Sequence, residues 1–295
     1  MHAQRRPSRR AFLAAALLLA CSAGPAAAQG SAFPGRPITI VVPFGPGGIA
    51  DLTARAVAQQ MSQSLKQTIV VENKPSAGTI VASTAVAKAE PDGHTLLLMS
   101  NGNAVSAGLF KKLPFDTRKD FAPVGTIGLF DLAVFTGAES RFKRLADVIA
   151  YARANPGKLT IGTINVGSTQ NLSAELFKTT TGIDAVIVPY KGTPAVVTAL
   201  RTGEIDVGFE ILGPMLPQVD AKVIRALAVT SDKRFPALPE VPTVGEAGVA
   251  NYNVASWNAL AAPAKTPGDV IDRLNRAVNE ALATPAVKKQ LGDLG

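Results

Sequence analysis

Ile38-Thr39-Ile40-Val41-Val42-Pro43-Phe44-Gly45-Pro46-Gly47-Gly48-Ile49-Ala50-Asp51 decides how this chain is read. An apolar, β-branched run ends at once in a Pro/Gly turn. Beyond it, apolar residues at Ile49, Leu52, Ala56, Val57, Met61 and Leu65 fall at helical spacing. A strand that ends in glycines and feeds a helix makes an anion site. The first backbone N–H groups of the helix have no internal partner, and the helix dipole favours negative charge there. The turn lacks the third glycine of a dinucleotide-binding fingerprint, so that reading is weak.

The same rhythm continues outward. Strand 38–42 leads to helix 48–65, strand 68–72 to a helix from Thr79 to about Ala89, and strand 95–99 follows Pro91-Asp92-Gly93. Strand–helix alternation of this kind builds a parallel sheet with helices on its faces. An extended segment, 124–136, crosses to a second unit. There a helix over 141–154 stops at Asn155-Pro156-Gly157, and strand 159–164 enters a helix carrying Leu172, Leu176 and Phe177. Strand 185–188, helix 194–202, strand 205–209 and strand 224–229 follow. A Pro-rich loop spans 235–242. Strand 255–261 crosses back, and helix 267–283 completes the first unit. The predicted organisation is a discontinuous lobe 1 (29–134 plus 256–295), a lobe 2 (135–255), and a hinge where the chain crosses twice.

Ligands of open α/β sheets sit at the carboxyl ends of strands, and the candidate binding residues lie there. The first group is Phe44, Pro46, Gly47, Gly48 and Asp51. The second is Ser76, Ala77, Gly78 and Thr79. The third is Gly167, Ser168, Thr169, Gln170 and Asn171. The second and third helices open without an acidic residue, which leaves their N–H groups free for an outside anion. Each residue also has an ordinary role: Asp51, Ser168 and Thr169 are good helix caps, and Phe44 suits a core. Tyr190 and Lys191 sit on a turn from which a phenol and an ammonium reach a cleft, although a lysine in a turn is usually solvated. Glu210 ends a strand, where it faces the cleft or pairs with a base.

Residues 1–28 read as an export signal. Arg5, Arg6, Arg9 and Arg10 precede an apolar stretch, Ala11 to Ala20, too short to span a bilayer. Ala26-Ala27-Ala28 is a small-x-small cleavage site. Ser8-Arg9-Arg10-Ala11-Phe12-Leu13 fits a twin-arginine signal, and an Arg-rich Sec signal fits as well. Cys21, the only cysteine, lies in a lipoprotein-like context. Cleavage after Ala28 is favoured because that site is clean, and it leaves a mature chain of about 267 residues with no thiol and no disulfide. That length exceeds one core and favours two lobes.

Composition excludes several functions. Hydrophobic residues make up 47% of the chain and aromatics 5%, as in a compact α/β protein. The formal charge is +8. The four signal arginines carry half of it, and the remaining bases are scattered without interleaved aromatics, so no nucleic-acid partner is expected. A mild positive field favours capture of small anions. His2 leaves with the signal and His94 stands alone, so no metal cluster is expected. There is no Gly-x-Ser-x-Gly elbow and no phosphate loop. No cofactor and no catalytic residue is assigned.

Beyond residue Pro34 the chain resembles the Bug/TctC family of extracytoplasmic solute receptors, the receptors of tripartite tricarboxylate transporters. The resemblance rests on the Pro-Phe-x-Pro-Gly-Gly turn, Glu72-Asn73-Lys74-Pro75, Gly167-Ser168, Pro189-Tyr190-Lys191-Gly192, Leu227-Ala228-Val229-Thr230-Ser231 with Arg234, Leu238-Pro239-Glu240-Val241-Pro242-Thr243, and Ala262-Pro263 with Thr266-Pro267. It implies an α/β fold like that of type II periplasmic binding proteins. Each of two lobes has a mostly parallel sheet flanked by helices, with the ligand cleft between them. It further implies a periplasmic monomer that binds a small organic anion, typically a carboxylate, through loops matching 44–51, 76–79 and 167–171, partly by way of water. The anion is then delivered to membrane transporter subunits. The alternative is signalling to a membrane sensor, and an enzyme acting on a carboxylate is a third, weaker reading. Two departures bear on ligand shape: Ser76-Ala77-Gly78-Thr79 replaces the family's usual Gly-Ala-Gly-Gly-type turn, and Asn171-Leu172 replaces a usual His-Leu. Relatives also continue beyond the position of Gly295 for another helix or two.

Overall fold

The computed structural model describes residues 33–294. The export signal, His2 and Cys21 lie outside the described residues. The first half contains β1 (Ile38–Val42), α1 (Ile49–Leu65), β2 (Ile69–Asn73), a 3₁₀ turn (Ala77–Thr79), α2 (Ile80–Ala87), β3 (Thr95–Ser100) and α3 (Asn101–Leu109). The long β4 (Phe121–Gly137) leads to α4 (Leu145–Ala154), β5 (Leu159–Ile164), α5 (Thr169–Thr181), β6 (Ala185–Tyr190), α6 (Thr193–Thr202), β7 (Val207–Ile211), α7 (Leu212–Asp220) and β8 (Ile224–Val229). The chain then returns through β9 (Ala255–Pro263) to α8 (Gly268–Ala283) and α9 (Pro285–Asp293).

The sheet runs β2-β1-β3-β9-β4-β7-β5-β6, with β8 also on β4. β1 pairs in parallel with β2 and β3, and β5 in parallel with β6 and β7. The antiparallel strands β4 and β9 join these two parallel groups. β4 pairs with β9 as far as Asp131 and with β7 from Leu132 onward. The halves therefore meet where one strand changes partners, and this places Ser256, Glu210 and Ile211 close to the junction.

Strand alternation explains the layers. Ile38, Ile40 and Val42 face the core under α1 and α8, while Val41 faces a smaller core with Ala82, Val86, Leu97, Phe115 and Phe121. In β4, Ala133 and Phe135 join the first core. Val134 joins a third, built around Phe177 and Phe209 under α4 and α5. The first core is continuous across both halves, from Met61 in α1 to Met215 in α7. Strands buried on both faces carry the unbroken β-branched runs seen in the sequence.

The structure departs from the sequence reading in four places. The helix expected from Thr79 begins at Ile80, because Gly78 and Thr79 both have φ of 60°. The left-handed conformation is costly for Thr79. Hydrogen bonds of its hydroxyl with Ser83 Oγ and from Asn103 Nδ2 hold it there. The helix expected from 141 begins at Leu145. Its first turn is fixed by the Asp147 carboxylate, which accepts from the N–H groups of Lys143 and Arg144. The strand expected over 205–209 runs from Val207 to Ile211. Helices α3, α7 and α9 are additional to the elements expected.

Candidate functional site

A small cavity lies between the two halves, lined by residues of both. Five helices begin at its wall. α1 contributes Gly48, Ile49 and Ala50; α3 its cap Ser100; α5 Thr169 and Gln170; α6 Gly192 and Thr193; α7 its cap Ile211. Phe44, Gly45 and Ile164 complete the turns, and Ser256 and Asn258 come from β9. None of these lining residues carries a charge. The first turns of α3, α5, α6 and α7 contain no acidic residue. Converging N–H groups and dipoles thus make the cavity electropositive without a lysine or arginine. The hydroxyls of Ser100, Thr169, Thr193 and Ser256 and the amides of Gln170 and Asn258 supply neutral polar groups. Phe44, Ile49, Ile164 and Ile211 supply an apolar wall.

Of the residues singled out in the sequence, Phe44, Gly48, Thr169 and Gln170 line this cavity. The others support it or lie elsewhere. Gly47, with φ of 80°, packs beside Pro194 of the opposite half and adjoins Pro46 in the same turn. Ser168 caps α5, its Oγ accepting from the N–H of Asn171 at 3.1 Å, while Asn171 Oδ1 accepts from Gly167 N–H.

The 76–79 and 167–171 loops meet each other. Gly78 N–H donates to Val166 O at 2.9 Å and Asn165 Nδ2 donates to Ser76 O at 3.2 Å. Ala77 lies in the same 3₁₀ turn, and the carbonyl of Gly78 accepts from Ser106 Oγ. This pair of loops therefore fastens the halves together at the edge of the cleft. Tyr190 directs its hydroxyl to Glu204 Oε1 at 2.7 Å. Burial, then Glu204, pushes that phenol up to about 12. Lys191 is exposed, but its backbone carbonyl faces Gly45 across the cleft.

Asp51 braces the first turn. It is buried, its Oδ2 accepts from Gly47 N–H at 3.0 Å, and its Oδ1 meets Arg55 at 2.9 Å. Burial alone raises its carboxyl. The hydrogen bonds from Arg55, Gly47 N–H and Asn73, with the charge of Arg55, outweigh burial and hold it below the usual 3.8. Asn73 also donates to Phe44 O at 3.0 Å. Asp51→Ala is expected to cost about 1–2 kcal/mol of stability at pH 7, the worth of a charge-assisted bond to a helix-entry turn. A depressed carboxyl contributes above its unfolded value and loses that contribution as pH falls. The gap from wild type in urea melts therefore closes as pH falls below about 3.8. An equal gap at pH 7 and pH 2.5 counts against this role.

Glu210 lies directly behind the wall. It is fully buried at the end of β7, and its Oε2 accepts from Gln170 Nε2 at 3.0 Å and from Ile211 N–H at 3.2 Å. Its Oε1 has no hydrogen-bond partner. Burial pushes the carboxyl up to about 7, against the lowering influence of Gln170, the Ile211 N–H and the Thr193 hydroxyl.

Three wall elements escaped the sequence reading. The α3 entrance was signalled by Ser100-x-x-Asn103, a capping pattern whose bonds are present: Ser100 Oγ accepts from Gly102 N–H and Asn103 Oδ1 accepts from Ser100 N–H. Ser256 and Asn258 carry no local signal. They reach the cavity only because β9 pairs beside the partner switch of β4. Ile211 hid at a strand end followed by Gly213 and Pro214.

Known proteins resemble this chain in sequence and in fold. Residues 53–295 match the family described as tripartite tricarboxylate transporter family receptor. The chain is similar to the solved structure of MatC from Rhodopseudomonas palustris with bound malate, at 33% identity and a TM-score of 0.85, covering 89% of this chain and 90% of that one. It is similar to Rpa4515 of R. palustris with adipate, at 34% identity and a TM-score of 0.83, covering 89% and 88%. It is also similar to the periplasmic binding protein BugD, at 30% identity and a TM-score of 0.85, covering 89% and 88%.

Proposed function

Because this chain belongs to the tripartite tricarboxylate transporter receptor family, we propose that it captures a small carboxylate in the periplasm and delivers it to membrane transporter subunits. The observation that carries this reading is the convergence of five helix N-termini on one cavity lined by no charged residue. Backbone N–H groups of α1, α3, α5, α6 and α7 receive the carboxylate, with Thr169, Gln170, Ser256 and Asn258 orienting it. The wall of Phe44, Ile49, Ile164 and Ile211 takes the carbon skeleton. A second carboxylate at the far end is compatible with malate and adipate in the relatives named above.

Binding is coupled to closure. Residues 33–134 with 256–294 form one lobe and 135–255 the other, moving about β4 and β9. The Gly78–Val166 and Asn165–Ser76 bonds belong to the closed form, and the ligand favours that form because it touches both lobes.

Thermal unfolding against mono-, di- and tricarboxylates, acidic amino acids, aromatic acids and neutral controls tests this reading. A carboxylate at a hundred times its dissociation constant stabilises by about 2.7 kcal/mol. For a protein of this size that is a rise of roughly 5–10 °C. A well-folded protein that shifts with no carboxylate in the panel refutes the reading.

A further inference from the structure

The carboxyl of Glu210 is an anion placed behind a site built for anions. It is fully buried, its Oε1 has no hydrogen-bond partner, and its Oε2 is held by Gln170 and the Ile211 N–H, both of the cavity wall. The groups facing it are the Gln170 amide of α5, the Thr193 hydroxyl of α6 and the Ile211 N–H of its own strand, none of which titrates. Charged side chains on the elements packed around it are engaged or exposed elsewhere. On α5, Glu175 and Lys178 pair with each other at 3.6 Å. Arg201 of α6 and Asp220 of α7 are exposed near the far ends of their helices, and Asp131 lies two residues along β4 from the position opposite Glu210. Among the described residues no cation balances Glu210.

The amide of Gln170 couples this carboxyl to the ligand. An ionised carboxylate can only accept, so Gln170 must turn its NH₂ group to Glu210, as it does. Its carbonyl oxygen is then the end left for the cavity, and a carbonyl repels a carboxylate. A protonated Glu210 can instead donate its O–H to the Gln170 carbonyl. The amide then presents both N–H groups to the cavity.

We propose that Glu210 takes up a proton when a carboxylate enters the cleft, and that this proton turns the Gln170 amide so that it donates to the ligand. The inference rests on the receptor reading and deepens it: the site captures an anion together with a proton. No covalent bond forms or breaks beyond the O–H bond on Glu210, and the proton comes from solvent as the lobes close. By reciprocity, a proton on Glu210 strengthens anion binding by the factor by which the anion strengthens proton binding. Glu210 in the free protein titrates near pH 7. Affinity is therefore highest below that pH, and above it weakens about tenfold per pH unit until the ligand-bound form titrates as well.

Calorimetric titration of the purified protein with adipate and with malate, at pH 6.0, 7.0 and 8.0, tests this. At pH 8.0 the enthalpy is measured in two buffers of different ionisation enthalpy. The expected result is uptake of close to one proton at pH 8.0, and a Kd about fivefold weaker there than at pH 7.0. Glu210→Gln, which is neutral at every pH, should show no proton uptake and a flat Kd from pH 6.0 to 8.0. Binding without proton uptake in the wild type overturns the proposal and leaves the receptor reading standing. So does a Glu210→Gln variant that keeps the wild-type slope. Absence of binding by every carboxylate of the thermal-unfolding panel, at every pH, overturns both.

Discussion

Replacing Gly45 by leucine is expected to abolish carboxylate binding while leaving the unliganded protein folded. Gly45 lies in the β1–α1 turn, where it meets the backbone of Lys191 and Gly192. A Cβ there would stand 2.5 Å from the carbonyl oxygen of Lys191 and 3.6 Å from Gly192 Cα. The first contact is too short to exist, and its partner is main chain, which cannot rotate aside. Gly45 does not need a glycine conformation, since its φ lies outside the left-handed region. The substitution is therefore free of local strain and acts on the closed form alone.

Overpacking of this kind costs about 1–3 kcal/mol for a methyl group. Gly45→Ala should weaken binding by roughly ten- to a hundredfold. Gly45→Leu drives a longer wedge into the same seam and should remove binding from the measurable range. Gly108→Ala is the control, because a Cβ there meets nothing within 4 Å. Calorimetry with adipate and malate, beside urea melts of the unliganded variants, separates the outcomes. Gly45→Leu that binds like wild type shows that the halves need not close at this seam. A large loss of unliganded stability shows that the contact belongs to the fold rather than to closure.

Much of this was legible in the sequence, for identifiable reasons. The runs 38–42 and 96–99 carry apolar residues on both faces, and only a sheet covered on both sides buries such strands. The Pro/Gly turn after β1 marked α1 as an entrance to the site. The cavity itself was only half legible. Reading one turn per helix found Gly48, Thr169 and Gln170, but α3 has glycines at positions 102 and 108 and no apolar face, so its periodicity is silent. α7 contains Pro214 and Pro217, which read as breakers; Pro214 falls in the first turn, where its missing N–H does no harm. The sequence points Ser76 to Thr79 at the ligand because they follow a strand and open a helix that begins without an acidic residue. Their glycine serves here to bring two loops together, since Gly78 offers its N–H to Val166 across the cleft. Sequence spacing marks where a backbone approaches something closely, but not whether that something is a ligand or another loop.

Glu210→Gln is expected to stabilise the protein by about 3 kcal/mol at pH 8, and by nothing measurable at pH 4. Burial raises the Glu210 carboxyl from 4.5 to about 7 in the folded state. Between those values the folded protein holds a proton that the unfolded chain has released, so folding stability falls as pH rises through this window. Each unit of the difference is worth about 1.4 kcal/mol. The loss is complete above pH 7, where the ionised carboxylate lies buried with Oε1 unpartnered. Glutamine has the same shape and no charge. Its carbonyl oxygen can still accept from Gln170 and Ile211, and its NH₂ takes the place of the orphaned oxygen. Urea melts of both proteins at pH 4 and pH 8 check this, with equal m-values as the sign that only stability has changed. A variant no more stable than wild type at pH 8 would mean that Glu210 is not a buried anion in the folded protein. It would also remove the thermodynamic reason for a carboxylate in the cleft to bring a proton with it.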